Sequence, residues 1–284
     1  MATPFNFDHI IALLEHPYEV NQELGIATLS AAGLPDSDNY RKKLKLRMAN
    51  SLLKLQWCIE YQLTEVVEVI ALQELRYDER SKLNILEKFP NLKELSLPKN
   101  SYINYEWIID WSKFQGLQKL SLRGNRLNSF PKGLQGLSNI RSLDLGKNRL
   151  LKLSAFCNSF PKLEQLNLSH NKLKKLPLQL GGLKTLKLLY VNHNYLTNLE
   201  LDLKSLTKLE VLKLTANRFR EIPAVIMELK ALKELDLSAN LLTDIPEELF
   251  ELPVLERVKI QGNPIPKHQK EALKAAWPKL DITI

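Results

Sequence analysis

Hydrophobic positions recur in a fixed register along the last two thirds of the chain. Aligned on asparagine, the segments are LKELSLPKN ending at Asn100, LQKLSLRGN at Asn125, IRSLDLGKN at Asn148 and LEQLNLSHN at Asn171. LKLLYVNHN at Asn194, LEVLKLTAN at Asn217, LKELDLSAN at Asn240 and LERVKIQGN at Asn263 complete the set. The spacing is 25 residues once and 23 thereafter. Within each segment the apolar fourth and sixth positions alternate with polar ones, the period of a short strand with one buried face. A second apolar set follows in most units, as in NKLKKLPLQLGGLKTL. One unit cannot bury these leucines alone, whereas stacked units close a common core. The pattern predicts a coil of parallel strands, one per turn, with the asparagine where the chain leaves the strand. There its side chain can satisfy backbone groups of the neighbouring turn that the bend would otherwise strand inside. Pro131, Pro177, Pro223 and Pro246 recur at one position, which suits an extended or short 3₁₀ stretch needing no ladder N–H.

Two units depart from the pattern. NSYINYEWIIDWSKFQGL carries two extra residues, and LLKLSAFCNSF has Ser154 where others have proline, with Cys157 and Phe160 inward. Both predict a more helical outer segment. A coil must also hide its end layers. Residues 1–82 read as a helical capping region. Asp8 can cap HIIALLEH, Pro17 and Gly33 bracket the next helix, and Leu44, Met48, Leu52, Leu55 and Ile59 form an apolar helical stripe. TEVVEVIALQEL fits either a capping strand or a degenerate repeat, with a helix following through residue 89. Residues 83–266 hold eight repeats. Residues 267–284 supply the far cap: a helix over 267–277 with Leu273 and Trp277 on one face, ended by Pro278, then a strand in LDITI.

The 23-residue LxxLxLxxN…LPxxLxxL form resembles intracellular leucine-rich repeat proteins, both bacterial members and the group that includes scaffolds binding Ras-like GTPases. The last segment is similar to the C-terminal cap of many intracellular members. The resemblance implies an α/β architecture: a right-handed leucine-rich repeat solenoid with a curved parallel β-sheet on its concave face. It also implies protein–protein interaction through that face without intrinsic catalysis.

Side chains that alternate with the buried ones stack in three outward columns about 4.8 Å apart per step. One runs Glu94, Lys119, Ser142, Gln165, Leu188, Val211, Glu234, Arg257; the next holds Asp144, Asn167, Tyr190, Lys213 and Asp236; the third holds Arg123, Ser169, Asn192 and Thr215. Most members are small, polar or charged. Leu188, Tyr190 and Val211 break that rule together, at mid-array. Exposed apolar groups with a polar surround make a candidate binding patch: Tyr190 as anchor, Leu188 and Val211 as floor, and Asn192, His193, Lys213, Asn167 and Arg123 around them. The competing reading packs Leu188 on Val211 as a cross-strand pair with Tyr190 lying flat on both.

Charge and motifs narrow the function. The net charge of +8 resolves into −3 for residues 1–90 and +11 for residues 91–284, so a preference for an acidic partner belongs to the repeats. Arg126, Arg149, Lys172, Tyr195 and Arg218 follow successive asparagines as a nearly all-basic row, with Lys147, Lys174 and Lys175 near it. The run RKKLKLR, interrupted by leucines, reads as a solvated helix face. No Walker, dinucleotide, GxSxG or HExxH motif occurs, and a shallow solvated face excludes water poorly, so no catalytic residue, cofactor or metal is assigned. His170 and His193 precede successive asparagines but lack a third ligand. Cys58 and Cys157 stand far apart, as free thiols of a reducing compartment would. No window is long and apolar enough to span a membrane, and no basic leader opens the chain. These features lead us to expect a cytoplasmic, monomeric, non-catalytic scaffold that binds a protein partner, acidic in character. The alternative is electrostatic binding of nucleic acid or an anionic surface through the basic half, with salt sensitivity as the discriminator.

Overall fold

The computed structural model describes residues 47–49, 69–72, 80–97, 99, 109–153, 159–200, 203–278 and 281–283. One sheet of eleven parallel strands runs through them in chain order. The strands are β1 (Arg47–Ala49), β2 (Val69–Ala71), β3 (Glu94–Ser96), β4 (Lys119–Ser121), β5 (Ser142–Asp144) and β6 (Gln165–Asn167). They continue as β7 (Leu188–Tyr190), β8 (Val211–Lys213), β9 (Glu234–Asp236), β10 (Arg257–Lys259) and β11 (Asp281–Thr283). The middle residue of each strand from β3 to β10, Leu95 through Val258, is buried. Its two neighbours face out and pair in register with the same positions of adjacent strands.

The interior is one continuous apolar cluster from Ile70 to Leu273. Among the described residues the return side is 3₁₀ rather than α-helical. Pro131, Pro177, Pro223 and Pro246 each precede a five-residue 3₁₀ turn that buries one Leu or Ile. Proline fits there because the first turn needs no amide donor. Phe130 meets Phe160 edge-on at 6.1 Å. Trp111 packs beside Phe114 at 6.0 Å and lies so close to Gly133 that a Cβ there would stand 2.7 Å from its ring. At the end of the array α1 (Lys267–Ala276) buries Leu273, while Trp277 stacks on Phe250 at 4.2 Å. Arg257 Nε donates to Asp281 across β10 and β11 at 2.6 Å.

The N-terminal expectation needs correction. Met48, assigned above to a helix stripe, is the middle residue of β1, and β1 and β2 extend the sheet beyond the boundary drawn at residue 83. In-register pairing with the next turn overrides the helical period of that stretch. Within TEVVEVIALQEL the strand expected there is β2, with Ile70 opposite Leu95 in register. The helix expected through residue 89 is 3₁₀ over Arg80–Lys88, with Leu83 and Leu86 buried. Cys58, Cys157, His9, His16, the helices expected over residues 8–33, most of RKKLKLR and the outer segments at 101–108 and 154–158 lie outside the described residues.

The asparagines form a buried ladder, each 3–7% exposed from Asn125 to Asn263. Asn171 is representative. Its Oδ1 accepts from Leu150 N of the preceding turn at 2.9 Å. Its Nδ2 donates to Leu145 O of that turn at 3.0 Å and to Leu168 O of its own at 2.9 Å. Asn194, Asn217, Asn240 and Asn263 repeat the arrangement one turn on. The residue just before each asparagine is left-handed, from Lys99 through Gly262. That twist lets its amide donate to the following turn, as His170 N does to Asn192 O at 2.8 Å. Glycine fills the position at Gly124 and Gly262, both with φ 72°; Lys147, His170, His193, Ala216 and Ala239 hold φ of 53–56° despite carrying a Cβ.

Two predictions follow from the ladder. Asn171→Leu is expected to lower the unfolding free energy by about 1–3 kcal/mol, because Leu145 and Leu168 keep a second asparagine donor while the amide of Leu150 is orphaned. Ala216→Gly and Ala239→Gly are each expected to raise it by about 0.5–1 kcal/mol, the left-handed penalty outweighing the added freedom of the unfolded chain. Urea denaturation measures both. A silent Asn171→Leu, or glycine variants that destabilise, would contradict this account.

Candidate functional site

The site is assembled by strand register. Leu188 stands between Gln165 and Val211, and Tyr190 between Asn167 and Lys213. Leu189, between the two, is 1% exposed, whereas Leu188, Tyr190 and Val211 are half-buried on the outward side. Partial burial, reinforced by the Glu234 carboxylate, pushes the Tyr190 phenol above its ordinary pKa. Its hydroxyl therefore stays protonated and able to donate at any physiological pH.

The surrounding polar residues are more committed than their sequence positions suggest. Lys213 is ion-paired with Glu234, and both side chains are less than one fifth exposed. Glu234 also draws Arg257 to 3.8 Å and Lys259 to 3.9 Å, so it is the hub of that part of the sheet. Asn167 Oδ1 accepts from Ser169 N at 3.0 Å, as Asp144 and Asp236 do for the residues two ahead of them. Tyr190 and Lys213 cannot play that part for their own turns. Asn192 instead reaches one turn forward and accepts from Thr215 N at 3.0 Å. Arg123 lies 3.5 Å from Asp144, in space that Gly146 leaves open; a Cβ there would stand 2.6 Å from Arg123 Nη1. Thus Leu188, Tyr190, Val211, Lys213, Asn167 and Asn192 are brought together around β6–β8. Arg123 belongs to a separate pair two turns earlier. Asn192 and Asn167 keep only their Nδ2 groups as donors for a ligand.

His193 sits beyond the strand and stacks on His170, with ring centroids 4.1 Å apart and planes at 12°. Desolvation, followed by His193, Lys147 and Arg123, lowers the His170 pKa below the ordinary imidazole value. On the same edge Arg126, Arg149, Lys172, Tyr195 and Arg218 are all exposed, and the Arg218 guanidinium lies over the Tyr195 ring at 4.5 Å.

The opposite edge of the sheet has the reverse logic. Arg141, Glu164, Lys187, Glu210 and Lys233 alternate in sign along successive turns. Glu164 takes Arg141 at 2.6 Å and Lys187 at 3.0 Å, and Lys233 takes Glu210 at 2.8 Å. Those donors hold the Glu164 and Glu210 carboxyls below their ordinary range, and Glu210 raises the Lys233 ammonium. Sequence reasoning missed this ladder and the Glu234 hub. Residues compared 23 apart would have exposed the alternation. Among the described residues no group of three or more His, Cys, Asp or Glu is placed to hold a metal ion. No helix among them is long and apolar enough to cross a membrane.

Sequence comparison agrees with the geometry. The family model described as Leucine rich repeat matches residues 207–265. A second model, Leucine Rich Repeat, matches residues 116–137 and 162–183, each close to one turn of the coil. No curated protein sequence matches the chain significantly. The matched turns share the strand register and asparagine ladder of the turns between them. On those grounds the chain belongs to the leucine-rich repeat proteins.

Proposed function

We propose that the chain is a non-catalytic interaction module that binds a partner protein on the concave face at β6–β8. Leucine-rich repeat domains are in general protein-interaction modules, and this reading locates the activity within one. The observation that carries it is a contrast on the outward columns. Their charged members are largely engaged with each other, as Lys119 is with Glu94, Arg123 with Asp144 and Lys213 with Glu234. Leu188 stands directly opposite Val211, yet both, with Tyr190, are only half-buried and leave apolar area open on the outward side. The Lys213–Glu234 pair supplies a nearly neutral rim, and Asn167 and Asn192 contribute amide donors.

The partner is acidic in overall character on this reading, because the repeats carry the positive excess of the chain. Two cysteines far apart in the sequence, Cys58 and Cys157, support a reading in which the protein works in a reducing compartment, and on this reading no further copy of the chain is needed to complete the patch.

The test is substitution in the full chain. Tyr190→Ala combined with Leu188→Ser is expected to leave the thermal midpoint nearly unchanged, since the buried Leu189 and the asparagine ladder are untouched. Affinity capture from native lysate is expected to lose its specific partner at least about tenfold, the scale of a hot-spot loss. Capture that survives the double substitution would refute the patch.

A further inference from the structure

The two edges of the sheet are charged by opposite rules, and that difference needs an explanation. Where the chain enters the strands, charges alternate and neutralise one another from Arg141 to Lys233. Where it leaves them, the residues flanking each asparagine include no acid in any repeat. Lys147, Arg149, Lys172 and Arg218 occupy these flanking positions in three of four consecutive turns, with His193 and Tyr195 in the turn between Lys172 and Arg218, and among the described residues none of the four cations is ion-paired. Like charges on neighbouring turns repel, and apart from the Arg218–Tyr195 contact the fold draws little from the row: the ladder asparagines it brackets bond to backbone, not to it.

We propose that this exit edge, from Lys147 to Arg218, is a second binding surface, one that takes an extended acidic peptide segment and takes up a proton at His170, against which His193 is stacked, as it does so. The idea rests on the partner being acidic, as proposed above, and adds where that acidity is recognised. The three turns separating Lys147 from Arg218 span roughly 14 Å, which about four or five extended residues would cover.

The stacked imidazoles lie inside this row. From the preceding turns Lys147 and Arg123 act on His170, the latter already facing Asp144; from the following turn comes His193, and beyond it Ala216 brings no charge. Two rings 4.1 Å apart cannot both carry a proton in that company without mutual repulsion. Carboxylates arriving along the row supply the missing counter-charge. The complex then binds more protons than the free protein, so affinity rises as pH falls through the imidazole range. A peptide fits better than single-stranded nucleic acid. Besides the two imidazoles, which stack on each other, the row presents one exposed aromatic ring, Tyr195, and Arg218 lies over it, so the row offers no ladder of free ring faces for successive bases.

The experiment is isothermal titration of the full chain with a peptide of about eight glutamates, long enough to cover the row. A glutamine peptide and an oligothymidylate of the same length serve as comparators. Binding of the glutamate peptide but not the glutamine one is expected, tightening about three- to tenfold between roughly pH 7.5 and 5.8, as one linked proton allows. Arg149→Glu with Lys172→Glu should abolish it without moving the thermal midpoint, since both side chains are exposed. His170→Gln with His193→Gln should keep binding at the higher pH and flatten the response. The proposal is overturned by no binding of the glutamate peptide, by affinity indifferent to pH, by a pH response that survives loss of both histidines, or by tighter binding of the oligothymidylate. Tyr190→Ala with Leu188→Ser should retain the glutamate peptide. If that variant loses it while the edge variant keeps it, the exit edge is wrong and the concave patch still stands.

Discussion

Each buried asparagine serves two turns at once. Asn171 accepts from the amide of Leu150 and donates to the carbonyls of Leu145 and Leu168, and its equivalents do the same along the array. A three-residue strand has too few ladder bonds to hold a turn in place, and a bend buries polar backbone that water cannot reach. The side-chain amide solves both problems, because it carries a donor and an acceptor at a spacing that matches two consecutive chains. The left-handed residue before it aims the next amide at the following turn, so the backbone of the bend is paired as thoroughly as the strands.

Function follows from what this arrangement leaves over. The leucines of every turn are shared with its neighbours, and the asparagines are fully occupied. On the strand side, the side chains that point off the sheet or along its edges are the ones that can meet another molecule. Most of those are engaged with each other, through the Glu164, Glu210 and Glu234 pairs and through the Asp144, Asn167 and Asp236 turns. Two features escape this mutual satisfaction. One is the apolar group of Leu188, Tyr190 and Val211, and the other is the cationic exit edge. They sit on adjoining turns, so a single partner with an apolar anchor and an acidic flank could use both.

The regular turns were legible from the chain because a 23-residue period repeats the same burial at the same place. Leu95, Leu120, Leu143, Leu166, Leu189, Leu212 and Leu235 announce the strands, and the recurrent prolines announce 3₁₀ returns. The start of the sheet was legible only in part: the strand expected within TEVVEVIALQEL is β2, whereas β1 lies where a helix was expected. The LxxLxLxxN motif does not occur around β1 or β2, and Met48 lies on a stripe that satisfies a helical period equally well; only pairing with the next turn decides between the two. The candidate patch was visible as three apolar residues out of place. Its rim was not, because Lys213, Asn192 and Asn167 look available in sequence and are engaged by Glu234, Thr215 and Ser169 in space.

The most direct test of the shared ladder is native-state hydrogen exchange at the amides that donate to asparagine side chains: Leu150, Leu173, Leu196, Phe219 and Leu242. If the ladder joins the turns into one cooperative unit, these amides should be as protected as those of the flanking strands and should exchange together, with the free energy of global unfolding. Exchange at the rate of exposed loop amides, or turn by turn with unrelated free energies, would contradict it.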